Sequence, residues 1–122
     1  MTFAEYQAFT ASLAQYNEEV CAYIPLEDWV HEEPLPYIYP VLALAEEAGE
    51  VAGKVAKYIR KNDTDFSTLR DAVGKELGDV MYQLSEAARQ FGFTLDEIVE
   101  GNVAKLTDRK ERGVLVGEGD DR

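Results

Sequence analysis

All four prolines, Pro25, Pro34, Pro36 and Pro40, fall between residues 25 and 40. A ring that removes a backbone donor and clashes with the preceding turn excludes a continuous helix there, which predicts an extended connection. Outside it the apolar residues keep helical spacing. Tyr6, Phe9, Leu13, Tyr16 and Val20 recur at intervals of three and four, predicting a first helix over residues 3 to 23. Pro40 suits the first turn of a second helix, whose stripe is Val41, Leu44, Ala45, Ala48, Ala52, Val55 and Ile59 and which runs to about Arg60. Lys57, Arg60 and Lys61 complement its C-terminal dipole.

Asp65 or Ser67 is placed to cap a third helix carrying Leu69, Val73, Leu77, Val80, Met81, Leu84, Ala88 and Phe91, with Gly92 as its stop. Thr94-Leu95-Asp96-Glu97 has the capping-box pattern and opens a fourth, whose periodicity decays after Arg109. No strand pair, internal repeat or low-complexity segment is evident. The expected architecture is all-α, a four-to-five-helix bundle formed as one domain over residues 1–112. Residues 113–122, with three glycines, read as a tail that substrate would order.

The net charge of -12, from 24 acidic and 12 basic residues, opposes binding to polymeric nucleic acid or anionic membranes. No apolar run approaches the roughly 20 residues a membrane span needs. The N-terminus has no basic flank or apolar core of a secretory signal, and the single Cys21 has no internal partner, which fits a reducing cytoplasm. A small anion remains compatible with this acidity wherever divalent cations neutralise a local carboxylate cluster.

Such a cluster is visible. Glu47 and Glu50 lie three residues apart on the second helix, and Glu76 and Asp79 repeat that spacing on the third. Any single pair of this kind is ordinarily a solvated acidic surface. Glu76 departs from that pattern. At roughly 100° per residue it sits about 40° from Val80, within the face that the third helix must bury, while Asp79 lies at the stripe's edge. A carboxylate so placed needs a compensating cation, either lysine or metal. Glu47 borders the apolar stripe of the second helix, whereas Glu46 and Glu50 point largely away from it. Four carboxylates without His or Cys form a hard oxygen site suited to Mg²⁺, with Mn²⁺ as substitute, and a phosphorylated substrate follows from that chemistry.

On the fourth helix Asn102, Lys105 and Arg109 share one stripe and offer donors for phosphate oxygens, although basic residues at a helix end equally serve the dipole. Lys54, one turn beyond Glu50, is either a phosphate contact or an ion-pair partner. Gln83, one turn beyond Asp79, is placed to hydrogen-bond substrate or orient a carboxylate. Trp29, His31, Tyr37 and Tyr39 either stack on a base or plug the end of the core. His31 has no partnered Ser or Cys motif, so triad chemistry is unsupported.

Together, Glu46-Glu47-x-x-Glu50, 25 intervening residues and Glu76-x-x-Asp79 resemble the Glu-Glu-x-x-Glu and Glu-x-x-Asp signature of the MazG-like all-α nucleoside triphosphate pyrophosphohydrolases. Leu44, Gly49, Leu77, Gly78 and Val80 extend the likeness, as does Asn102-x-x-Lys105-Leu106-x-x-Arg109, so that it covers residues 40 to 112. The resemblance implies metal coordination by Glu47, Glu50, Glu76 and Asp79. It places phosphate contacts at Asn102, Lys105 and Arg109, and gives Glu46 either a further magnesium or a share in deprotonating water. The ending Gly117-Glu-Gly119-Asp120-Asp121-Arg122 is similar to that of some small members, which implies that Asp120 and Arg122 fold over the triphosphate.

The implied activity is hydrolysis of (deoxy)nucleoside triphosphates between the α and β phosphates, serving nucleotide-pool cleansing, in a homodimer or dimer of dimers. Long apolar stripes on a chain this short independently call for a partner copy. The alternatives are a dUTPase-like or phosphoribosyl-ATP pyrophosphohydrolase, and a noncatalytic acidic helical adaptor. A carboxylate within the stripe gives an adaptor nothing. The N-terminal third matches no motif of the family and leaves base selection open.

Overall fold

The computed structural model describes residues 1–14, 35–61, 63 and 65–116. Four α-helices and no strand occur among them: α1 (Phe3–Leu13), α2 (Leu35–Lys61), α3 (Phe66–Gln90) and α4 (Leu95–Glu111). The all-α expectation holds. Trp29, Asp120 and Arg122 lie outside the described residues, as do Cys21, His31 and the proline-rich connection before residue 35.

α1 opens with a capping box in which the Glu5 amide donates to Thr2 Oγ1 at 3.2 Å and the Thr2 amide donates to Glu5 Oε2 at 2.7 Å. It ends at Leu13, because Ala14 has extended backbone (ψ 119°). The continuous helix expected to residue 23 is therefore interrupted ten residues early. Neither glycine nor proline marks that position, and nothing in the local sequence explains the stop.

The second correction concerns Pro40, expected to start a helix and found inside one that begins at Leu35. Proline's φ is compatible with a helix, so its cost is the missing bond to the carbonyl four residues back together with the ring's clash there. Pro40 is fully buried and Ala43 nearly so, and this packing offsets the loss.

α2 and α3 are the long elements, 27 and 25 residues, and they pack against each other. They form the most extensive helix pair of the fold. Asp65 caps α3, accepting from the Thr68 amide at 2.9 Å. Gly92, at φ 79°, takes the left-handed conformation after α3, as expected of its position. The Thr94–Glu97 capping box then opens α4, with the Glu97 amide donating to Thr94 Oγ1 at 3.1 Å and the Thr94 amide to Glu97 Oε2 at 2.8 Å. α4 runs two residues past Arg109 and closes at Gly113 (φ 71°).

α1 packs on α3 and α4. Gln7 fixes it to the turn between them, donating from Nε2 to Phe93 O at 2.9 Å and accepting from the Leu95 amide at 3.3 Å. The hydroxyls of Thr10 and Ser85 meet at 2.8 Å in the interior, each bonded because neither has water available. The described core is narrow: Pro40, Ala43, Ala87, Ala88 and Leu95 are its buried apolar residues, whereas Ile59 (73%), Phe66 (68%) and Leu77 (50%) remain exposed. No helix among the described residues is long and apolar enough to cross a membrane.

Candidate metal centre

Because α2 and α3 run side by side, their acidic segments meet. Glu47 on α2 and Glu76 and Asp79 on α3 each offer a carboxylate oxygen within 4.8 Å of the others. Glu47 and Glu76 are half-buried and Asp79 is exposed, the order their helical positions predict. An octahedral Mg²⁺ site with bonds of about 2.1 Å separates neighbouring oxygens by about 3 Å and opposed ones by about 4.2 Å, so small side-chain rotations would bring these three onto one ion.

The electrostatics agree with that fit. Burial pushes the Glu47 carboxyl above its ordinary value, and the charges of Asp79, Glu46, Glu76 and Glu50 push it further. Like charges crowded at a half-buried point are the condition a divalent cation relieves.

Glu50, grouped with the other three on sequence grounds, stands apart from this cluster of three. Its side chain is 54% exposed and lies 3.7 Å from Lys54 Nζ. Lys54 reaches across to α3 as well, with Nζ 2.9 Å from Glu76 Oε1. Lys54 thus has the ion-pair partner that the sequence allowed, and it has two. The hydrogen bond to Glu76 leads the causes that raise its pKa, with the charges of Glu76 and Glu50 adding to it against desolvation.

One tyrosine feels the cluster's charge, which the carboxylate spacing does not reveal. Burial raises the Tyr6 phenol on α1, and the nearby Asp79 and Tyr82 charges add to the effect. Tyr6 read as one member of an apolar stripe; only the docking of α1 on α3 brings it towards Asp79. Gln83 is buried on α3, and Glu46 is exposed beside Glu47. On α4, Asn102 and Lys105 are exposed while Arg109 is 5% exposed, so the donor stripe divides into two surface groups and one interior group. Glu86, fully buried on α3 and paired with Arg89 at 2.7 Å, was also missed. Its position seven residues after Asp79 is the available signal, since residues so spaced share a helix face.

Residues 40–114 match the family described as MazG nucleotide pyrophosphohydrolase domain, a span that contains every carboxylate of the centre. The chain belongs to the MazG nucleotide pyrophosphohydrolase family. It is 41% identical over 85 residues to the Gene 37 protein of Mycobacterium phage L5, across 69% of this chain and 75% of that protein. No solved structure matches it. MazG membership accounts for the nucleotide as substrate class. The match begins at Pro40, so α1, which carries Tyr6, lies outside it.

Proposed function

We propose that this MazG-family chain hydrolyses (deoxy)nucleoside triphosphates between the α and β phosphates, in a Mg²⁺-dependent reaction yielding a nucleoside monophosphate and pyrophosphate. The convergence of Glu47, Glu76 and Asp79 carries the reading. These three would hold Mg²⁺, with Mn²⁺ as substitute and Glu50 as a further ligand available from α2. Metal bound there supplies screening of phosphate charge and acidification of water. Water adds its oxygen to phosphorus as the bridging P–O bond breaks, pyrophosphate departs with that bond's electrons, and the water proton passes to a site carboxylate. Glu46 is the exposed carboxylate beside the ligands that is open to this role. Asn102, Lys105 and Arg109 on α4 are assigned to the phosphate oxygens that the metal leaves free, with Gln83 orienting substrate or ligand from α3. Trp29 is assigned to the base, and Asp120 and Arg122 to closure over the phosphates. The reading places the enzyme in the cytoplasm, where it would cleanse the nucleotide pool.

A homo-oligomer completes the proposal. Val55, Phe66, Leu69, Val73 and Leu77 line an open groove along α2 and α3, edged by Arg70, Asp71 and Lys75. A second copy of the chain suits it, because a rim carrying both charges can pair with itself about a two-fold axis. The same exposed face would serve a noncatalytic adaptor, so activity decides between them.

A panel of canonical and modified NTPs and dNTPs with Mg²⁺, in which monophosphate and pyrophosphate are measured separately, tests the activity. Pyrophosphate from at least one substrate, lost in Glu76→Gln, is expected. None from any substrate would overturn the enzymatic reading. Inclusion of dUTP and phosphoribosyl-ATP distinguishes the related activities, which share this metal chemistry.

A further inference from the structure

We infer that Lys54 is a resident cation of the carboxylate centre, held between Glu50 and Glu76 in the metal-free protein and transferred to the substrate's phosphate chain when divalent metal enters. The inference rests on the reading of Glu47, Glu76 and Asp79 as a metal site and adds a charge exchange to it.

Its geometry is unlike that of an ordinary surface pair. Lys54 is four residues from Glu50 and seven from Glu47, so the three share one face of α2. Its shorter contact, 2.9 Å, is not the intrahelical one but crosses to Glu76 on α3, whose side chain is only 16% exposed. The intrahelical contact to Glu50 is 3.7 Å. One ammonium group therefore bridges both helices at the point where acidic residues from each converge.

A divalent ion drawn to Glu47, Glu76 and Asp79 competes with that arrangement. It withdraws electron density from the Glu76 carboxylate, which weakens the Lys54 hydrogen bond, and it repels the ammonium directly. Lys54 has a flexible four-carbon stem and three donors, and its side chain is 36% exposed, so it can swing away without unpacking a helix. Released beside the metal, it meets the non-bridging oxygens of a bound triphosphate and regains a charge-assisted contact. Metal and Lys54 are thus antagonists on the empty centre and allies once nucleotide is present, which couples metal retention to nucleotide binding.

Mn²⁺ binding to nucleotide-free protein, measured by calorimetry and by electron paramagnetic resonance, provides a test independent of turnover. Lys54→Met and Lys54→Gln should bind Mn²⁺ roughly three- to tenfold tighter than the unmodified chain, on the scale of one partly screened charge interaction. Lys54→Arg should restore the original affinity. With EDTA, both neutral variants should melt at lower temperature than the unmodified chain and gain more from added Mn²⁺. In turnover they should show a higher KM for the nucleotide with a smaller change in kcat. Unchanged or weaker Mn²⁺ affinity in both neutral variants, or tightening in Lys54→Arg as well, would overturn the exchange. Glu76→Gln separates the two levels: if it binds Mn²⁺ as the unmodified chain does, the metal-site reading fails and the exchange with it. Weakened binding in Glu76→Gln beside unchanged binding in Lys54→Met removes the exchange alone.

Discussion

Arg89 donates from Nε and from one terminal nitrogen to the same oxygen of Glu86, at 3.1 and 2.7 Å, and the carboxylate receiving both bonds is fully buried. The other oxygen, Oε1, is buried with no hydrogen-bond partner among the described residues. Arg89, at 38% side-chain exposure, reaches in from the surface. The two ends of the pair are therefore unequal. Arg89→Met strands a buried charge and should destabilise the fold by about 3 kcal/mol. Glu86→Gln leaves an exposed arginine that water can solvate and should cost clearly less. Urea unfolding of both variants measures the difference, and equal losses would contradict the asymmetry.

The capping box of α4 gives a pH-dependent signature. The backbone and side-chain hydrogen bonds from Thr94 hold the Glu97 carboxyl below its ordinary value. Between the lowered folded value and the unfolded one the folded chain binds fewer protons, so stability rises with pH across that interval. The contribution is complete above the unfolded value and lost as pH falls through the folded one. Thr94→Ala should cost about 1 kcal/mol at pH 7. That difference should shrink on acidification below the unfolded carboxylate range, as followed by denaturant titrations in EDTA.

Leu77, 50% exposed on the α2–α3 groove, is the place to test self-association. Sedimentation velocity should show an oligomer for the unmodified chain. Leu77→Lys should weaken it about a hundredfold, the equivalent of about 3 kcal/mol for burying an unpaired charge. An unmodified chain that sediments as a monomer at all concentrations would remove the second copy from the proposal.

Asp79, the exposed member of the carboxylate cluster, tests metal linkage. Mg²⁺ at a hundred times its dissociation constant should stabilise the unmodified chain by about 2.7 kcal/mol, and EDTA should reverse the shift. Asp79→Asn should abolish most of that stabilisation and lower pyrophosphate release by at least about a hundredfold, since even residues that only support a ligand cost up to that much. Differential scanning calorimetry with and without Mg²⁺ reads the first effect directly.

Much of this was legible locally. Thr94 and Glu97, Asp65 and Gly92 announce helix ends because capping uses atoms within four residues of one another. Glu76 declared itself by lying in an apolar stripe, a matter of helical period alone. Two local readings failed for non-local reasons or none that the sequence displays. Pro40 was absorbed into α2 because burial outweighed its missing hydrogen bond, and α1 ended at Leu13 without a stop signal.

The sequence by itself determined the four helices of the described residues, their principal caps and two carboxylate pairs, since each depends on spacing along one chain segment. Only the tertiary structure decided which carboxylates meet. The side-by-side run of α2 and α3 joins Glu47 to Glu76 and Asp79, sets Glu50 apart, sends Lys54 across to Glu76 and, through α1, brings Tyr6 towards Asp79. A helix fixes the angle between its own side chains. The partner that each face finds is set by packing between segments far apart in sequence, and no local period encodes it.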